Sequence, residues 1–361
     1  MLTFKRKLIL THGQANRIDS WIGACRVVYN LCIEIRREGY KNRGITVHRF
    51  ELDAQLKTIK HIDWIKDVPH ECLSTTVEVM DRAYQRFFKT FKTGGGFPRF
   101  TSKKKYNSIR FKHALYVKGN FVRIPKIGYM KMVNDSAIIG DIKIITVKRE
   151  LGAYYACITT DAVKSIQNQD ESQVLGIDMG IARLLTDSQG GYVENPRHYR
   201  KYEKRLRIEN RSLSRKKRFG KNWIKQAKKL SKLHRKIAAV RSDFLQKEST
   251  RIAKSFHTVI IEDLNISGLK RGNVGKSIGD AGWGLFRKML EYKTQVIAID
   301  PRFTSQTCND CGECDKKSRI SQSEFVCTAC GTRSNADENA ARNILDQGMV
   351  IIRKRGVRAR A

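Results

Sequence analysis

The chain has 361 residues, 40% of them apolar, and carries 71 Lys and Arg against 35 Asp and Glu, a formal net charge of +36. That length holds two or three domains with real cores, and the apolar content excludes a disordered chain. A charge excess of this size repels itself and seeks polyanions, so nucleic acid is the expected partner. No apolar run approaches the ~18 residues of a membrane span, and the start, MLTFKRKLILTHGQ, lacks the apolar stretch and small-residue cleavage site of a secretory signal. The expectation is a cytoplasmic chain with no membrane partner and no required protein partner. In a reducing compartment its nine cysteines serve metal or core positions rather than disulfides. Cys25, Cys32, Cys72 and Cys157 sit among apolar neighbours and are expected to be buried thiols.

In chain order, residues 1–10 alternate as a strand does. From Gln14, apolar positions recurring at three and four predict a helix through Ile18, Ile22, Cys25, Tyr29 and Cys32. A second helix is predicted over about 48–60. A third carries Val68, Cys72, Val79, Ala83 and Phe87 and ends before Gly94-Gly95-Gly96, where the glycines and Pro98 mark a loop. Short strands follow at 108–111, 121–124, 142–147 and 154–159. The polar stretch from Asp161 to Ser172 reads as a linker. Val174 to Asp178 then opens a second unit as a buried strand. Ala182 to Asp187 follows it and turns at Gly190-Gly191 into a third strand.

Between Lys201 and Arg235, fifteen Lys or Arg face only Glu203 and Glu209. Leu230, Leu233, Ile237, Val240 and Phe244 keep one apolar face, and Phe219 to Asn222 reads as the turn between two antiparallel helices. Ordinary charge on a helix is a solvated face; fifteen cations with two acids predict phosphate contact. Thr258 to Leu264 is a further buried strand ending in acids. Trp283 to Tyr292 is a helix, Gln295 to Asp300 a strand, and Asp337 to Leu345 a helix followed by a basic tail. Gly272-Asn273-Val274-Gly275-Lys276-Ser277 imitates a phosphate-binding loop, but its spacing is two residues short and Lys270 stands where a glycine is needed. It is expected to be a mobile cationic loop.

Two patterns carry chemistry. Cys308-x-x-Cys311 and Cys327-x-x-Cys330, fifteen residues apart, read as a ribbon closed around one structural zinc. Cys314 repeats the spacing and could replace Cys308, but Gly312 and Gly331 mark two matching knuckle turns that favour the first set. Asp178 and Glu262 each end an apolar strand, where ligand groups gather, and Asp337 opens a helix, whose N–H groups favour negative charge. Singly, each acid has an ordinary explanation: a turn cap, a lysine partner, a first-turn acid. Asp263 and Glu338 compete as neighbours. Together a sheet-end Asp, a sheet-end Glu and a helix-borne Asp match an RNase H-like nuclease pattern. Three clustered carboxylates repel unless cations separate them. Two Mg²⁺ ions ~3.5–4 Å apart would do so while activating water on a phosphodiester.

Gly176-Ile177-Asp178-Met179-Gly180, Ile261-Glu262-Asp263-Leu264, Thr304-Ser305-Gln306-x-Cys308-x-x-Cys311-Gly312 and Asp337-x-Asn339-Ala340-Ala341-x-Asn343-Ile344 together resemble the TnpB family, transposon-encoded relatives of type V CRISPR effectors. Ala24-Cys25-Arg26-x-x-Tyr29-Asn30, Gly96-Phe97-Pro98-Arg99-Phe100 and Ile124-Pro125-Lys126-Ile127-Gly128 extend the likeness over nearly the whole chain. Cys314 is additional, and Thr101 stands where lysine is expected. The resemblance selects Glu262 and Asp337 over their neighbours as catalytic ligands beside Asp178. It implies a mixed α+β and α/β multidomain architecture. A wedge β-barrel (1–13 and 97–165) would hold a helical recognition insert (14–96). A RuvC-like nuclease domain (166–302 and 336–361) would carry a basic helical hairpin (201–250) and an inserted zinc ribbon (303–335). It further implies a prokaryotic, RNA-guided DNA endonuclease. The guide RNA would come from the transposon end, and the target would be double-stranded DNA beside a short motif. Tyr199, Tyr202, Phe219 and Trp223 could stack on unpaired bases or pack the hairpin. The rival readings are a guided repressor that does not cut and a strand-joining transposase. The intact acid set argues against the first, and the lack of an evident strand-transfer His–Tyr set argues against the second.

Overall fold

The structure, a computed structural model, describes residues 1–113, 116–133, 137–162, 170–269 and 271–358. Lys270 and most of the expected linker, 163–169, lie outside the described residues. The chain divides into two compact units, Met1–Val163 and Lys164–Ala361.

In the first unit, β1 (Leu2–Ile9) leads into α1 (His12–Arg43). Thr11 caps α1 by accepting from the Gln14 backbone while the Gln14 side chain returns to the Thr11 N–H, and Gly44 ends it at φ 62°. Then come α2 (Arg49–Gln55), α3 (Asp63–Lys66) and α4 (His70–Thr90). The second predicted helix is thus shorter than expected, because the chain breaks into turns after Gln55. The remaining strands are β2 (Ser108–Phe111), β3 (Tyr116–Lys118), β4 (Phe121–Ile124), β5 (Gly128–Met132), β6 (Ile142–Glu150) and β7 (Ala153–Thr160). The strands β3 and β5 escaped the sequence reading: one is three residues long, and the other starts at a positive-φ glycine. All seven form one antiparallel sheet in the order β2-β6-β7-β1-β5-β4-β3. Helices and sheet share one apolar core, in which Trp21 of α1 meets Phe111 of β2. Cys25, Cys32 and Cys72 are buried in it as expected; Cys157 is only half-buried.

The second unit is built on five strands: β8 (Val174–Asp178), β9 (Arg183–Asp187), β10 (Tyr192–Glu194), β11 (Thr258–Glu262) and β12 (Gln295–Ile299). Their order is β10-β9-β8-β11-β12, with β8, β11 and β12 parallel and β9 and β10 antiparallel to their neighbours. Helices α5 (His198–Ser214) and α6 (Lys221–Ser255) form the hairpin, closed by Leu206, Leu230, Leu233 and Ile237. Tyr199 and Tyr202 pack against that core, while Phe219 stays exposed and meets Trp223 edge to face at 5.5 Å. After β11 come α7 (Ile266–Leu269), α8 (Gly275–Ala281) and α9 (Trp283–Glu291). The expected mobile loop is therefore corrected from Gly275 onward. Ile278 and Ala281 are buried, and Asp280 accepts from the Tyr199 backbone N–H at 2.6 Å, anchoring the segment against the start of α5.

Strands β13 (Glu324–Val326) and β14 (Arg333–Asn335) form a separate hairpin, and α10 (Ala336–Arg358) closes the described chain. Period-two alternation sorts the central sheet into two faces. Leu175, Ile177, Val259 and Ile261 point into a core with α6, α8 and α9, whereas Ile260, Ile297 and Ile299 pack with Ile344 of α10. Helix α10 runs well past its predicted end at Leu345. Gly348 lets it continue, because a Cβ there would overlap the Ile260 side chain beneath. No helix among the described residues is long and apolar enough to cross a membrane.

A candidate acidic centre beside a four-cysteine ribbon

Asp178 and Glu262 arrive together through the register of β8 and β11. The parallel pair aligns Ile261 with Ile177, so the next residue on each strand is an acid. Neighbouring strands run about 4.8 Å apart. Because Ile177 and Ile261 face the α6 and α9 side, the pleat turns Asp178 and Glu262 toward α10. Asp337 sits in the first turn of α10, behind the Asn335 side chain, which accepts from the Asp337 and Glu338 N–H groups. The helix approaches this closely because residue 176 is glycine. A Cβ there would collide with the Ala341 carbonyl and lie 2.8 Å from the Leu345 Cβ.

Electrostatics record the convergence. Burial, then the charges of Glu262 and Asp337, push the Asp178 carboxyl up to about 7, against the opposing pull of Arg319 and the Met179 N–H. Glu262 is also raised by burial, while a hydrogen bond from Thr304 Oγ1 (2.5 Å) and the charge of Arg319 oppose the rise. The competing neighbours are engaged elsewhere. Asp263 accepts from Arg287 Nη1 at 2.7 Å, and Glu338 pairs with Arg342 at 2.5 Å. Glu262 and Asp337, by contrast, are the acids whose charges bear on Asp178.

Arg319 is the residue that the sequence reading missed. Its Nη2 lies 3.3 Å from Asp337 Oδ1, and its charge reaches Asp178 and Glu262. In sequence it is one of three cations with Lys316 and Lys317. Only the tertiary structure separates it from them.

Cys308, Cys311, Cys327 and Cys330 bring their sulfurs within 4.8 Å of one another. Two knuckles do this with the same hydrogen bonds. Gly312 N donates to the Cys308 carbonyl (2.9 Å) and Gly331 N to that of Cys327 (3.1 Å), with both glycines at positive φ. Cys308–Cys330 at 3.7 Å and Cys311–Cys327 at 3.6 Å match the ~3.8 Å edge of a tetrahedron with ~2.3 Å zinc–sulfur bonds. The donor set therefore fits zinc with no open position. Cys314 is exposed and outside this cluster. Among the described residues, these four cysteines form the group whose ligand atoms all lie within 4.8 Å of one another.

Between residues 201 and 235 of the hairpin, both acids are already paired: Glu203 with Lys276, and Glu209 with Lys229 at 2.9 Å. Lys216, Lys225, Lys228, Lys229 and Lys232 line one hollow there.

Comparison with known proteins agrees with the motifs. A family described as "Probable transposase" matches residues 157–273, a Cas12f1-like TNB domain matches 283–344, and a helix-turn-helix domain matches 1–44. The chain is 33% identical, over 97% of its own length and 92% of the relative's, to "Putative RNA-guided DNA endonuclease InsQ" of Escherichia coli (strain K12). A Streptomyces pristinaespiralis protein named "Putative RNA-guided DNA endonuclease" is 30% identical over 96% of this chain and 89% of its own. Cas12f1 of Sulfoacidibacillus thermotolerans, a CRISPR-associated endodeoxyribonuclease, is 31% identical over 53% of this chain and 49% of its own. Among solved structures, a Cas12f1–sgRNA–target DNA complex shares the mixed α and β fold at a TM-score of 0.58, with 14% identity over 93% of this chain and 83% of that one. Near full-length likeness at this identity, together with the motifs around Asp178, Glu262, Cys308 and Asp337, makes the chain a member of the TnpB family.

Proposed function

We propose that this chain is a transposon-encoded, RNA-guided DNA endonuclease whose Asp178, Glu262 and Asp337 hold two Mg²⁺ ions. The observation that carries the reading is geometric: the register of β8 and β11 sets Asp178 and Glu262 on adjacent strands at one sheet end, and α10, laid over Gly176, brings Asp337 to them, so that the charges of both acids raise the Asp178 carboxyl. Bound there, Mg²⁺ would supply an activated water and charge stabilisation for in-line displacement at a phosphodiester. The residues do the rest. Asp178 and Glu262 present oxygens from adjacent rigid strands, Asp337 completes the set from α10, and Arg319 neutralises part of their charge until a phosphate backbone arrives. Four cysteines and one structural zinc hold the ribbon that carries Arg319.

The strand order of the second unit supports an RNase H-like, RuvC-type domain spanning 166–302 and 336–361, with the ribbon at 303–335 inserted. The antiparallel sheet and helices of the first unit support a wedge barrel (1–13 and 97–165) around a recognition insert (14–96). Base pairing through a guide RNA chooses the sequence, while the cationic hairpin at 201–250 holds RNA and heteroduplex by their phosphates. The guide is transcribed from the transposon end, the protein recognises a short motif beside the target duplex, and the complex works in the prokaryotic cytoplasm on nucleoid DNA. Asp178→Ala in the complex with its copurifying RNA should abolish cleavage of DNA matched to that RNA and leave RNA and DNA binding intact. Unchanged cutting removes Asp178 from the site. Binding without Mg²⁺-dependent cutting by the wild type makes the chain a guided repressor instead.

A further inference from the structure

We propose that Thr304, Asn339 and Asn343 are positioning residues that set Glu262 against Asp337 through the first knuckle of the ribbon. The inference rests on the reading of those acids as a metal centre. Thr304 is 2% exposed, and its Oγ1 lies 2.5 Å from Glu262 Oε1 and 3.0 Å from the Pro301 carbonyl. A hydroxyl has one proton, and the charged carboxylate is the stronger acceptor. The same residue is tied to α10 through its backbone. Asn343 Nδ2 donates to the Thr304 carbonyl (2.9 Å) and to the Thr307 carbonyl (2.6 Å). Asn339 Nδ2 donates to the Thr307 carbonyl at 2.7 Å, and its Oδ1 accepts from the Asn309 N–H at 3.0 Å.

The two asparagines stand one helical turn apart on one face of α10 and are 4% and 6% exposed. Buried amides with both donor and acceptor occupied tolerate little displacement, since each orphaned group costs ~1–3 kcal/mol. Asp337 lies two residues before Asn339, directly ahead of the clamped stretch. A chain of contacts thus runs from Asp337 along α10, through the asparagines into residues 304–309, and back through the Thr304 hydroxyl to Glu262. It bypasses the sheet and passes through the segment that ends in Cys308. Half-buried carboxylates that repel drift apart unless held, and this clamp holds two of the three at a fixed separation before any cation binds. The ribbon is then part of the geometry of the acid centre as well as a carrier of Arg319.

Thr304→Val tests this with little change of shape. In the complex with copurifying RNA, Mn²⁺ binding is followed by electron paramagnetic resonance, and the Mg²⁺ concentration for half-maximal cleavage of matched DNA is measured alongside. Removing a hydrogen bond behind a metal ligand typically weakens the metal about 10- to 100-fold. Thr304→Val should shift both readouts by that amount, keep one zinc per chain and wild-type DNA binding, and be rescued by Thr304→Ser. Asn343→Ala should shift them in the same direction. Wild-type metal dependence in Thr304→Val, or a defect that Thr304→Ser does not repair, overturns the inference alone. A wild-type complex that neither binds Mn²⁺ nor cuts overturns the metal centre and this inference together.

Discussion

Asp178→Asn should stabilise the metal-free protein, and only above acidic pH. The native carboxyl is pushed from an ordinary 3.8 up to about 7 by burial and by Glu262 and Asp337. The folded chain therefore binds this proton more tightly than the unfolded chain. The group's contribution to stability is complete below about pH 3.8 and is lost as pH rises through about 7. At 1.36 kcal/mol per pH unit, the interval between the two values amounts to ~4 kcal/mol of strain at alkaline pH. Asparagine keeps the shape and an oxygen for the Met179 N–H but does not ionise. Its gain should approach ~4 kcal/mol near pH 8, fall by ~2–3 kcal/mol near pH 5, and vanish below pH ~4. The assay is denaturant titration of chelator-treated protein, followed by hydrogen exchange in β8 and β11 so that the second unit is read by itself. Added Mg²⁺ should reverse the order, stabilising the wild type and not the variant, with proton release near neutral pH detectable by calorimetry in two buffers. A gain that does not vary with pH, or its absence, refutes the electrostatic account of the centre.

Two further outcomes follow from packing and coordination. Cys327→Ser removes one of four converging sulfurs, in a class of site where zinc typically contributes ~10–16 kcal/mol; folded yield and zinc content should fall sharply, amides of 303–335 should exchange quickly, and the surviving folded protein should keep its target discrimination. Equal stability without bound zinc contradicts that role. Gly176→Ala sets a methyl against the Ala341 carbonyl and the Leu345 Cβ, so α10 must lift from β8 at ~1–3 kcal/mol or more; melting temperature and single-turnover cleavage should both drop, and a wild-type result in both shows that the helix does not need that approach.

Much of the second unit was legible before any coordinates. Val174–Ile177 and Val259–Ile261 are short apolar runs ending in acids, and a strand buried on both faces requires that composition. The two Cys-x-x-Cys pairs with their glycines give knuckles, because each turn needs positive φ at the residue after its second cysteine. Other features were not legible, each for a nameable reason. Periodicity ended α10 at Leu345, but Gly348 continues the helix by fitting over Ile260. The Gly272–Ser277 stretch reads as a loop by composition, yet burial of Ile278 and the contact between Asp280 and α5 fold its second half into a helix.

Local sequence thus determined which residues can be strand ends, helix starts and sulfur ligands, because backbone propensity and side-chain periodicity act over a few residues. Strand pattern alone could not choose between Glu262 and Asp263, nor single out Arg319, nor show that Thr304, Asn339 and Asn343, though present in the motifs, link the two acids. Those depend on which face of a pleat a side chain takes and on which distant segment crosses it. Only β8 beside β11 with α10 laid over Gly176 places like charges so close that burial and repulsion raise Asp178, and that proximity is a property of the packed layers rather than of any stretch of chain.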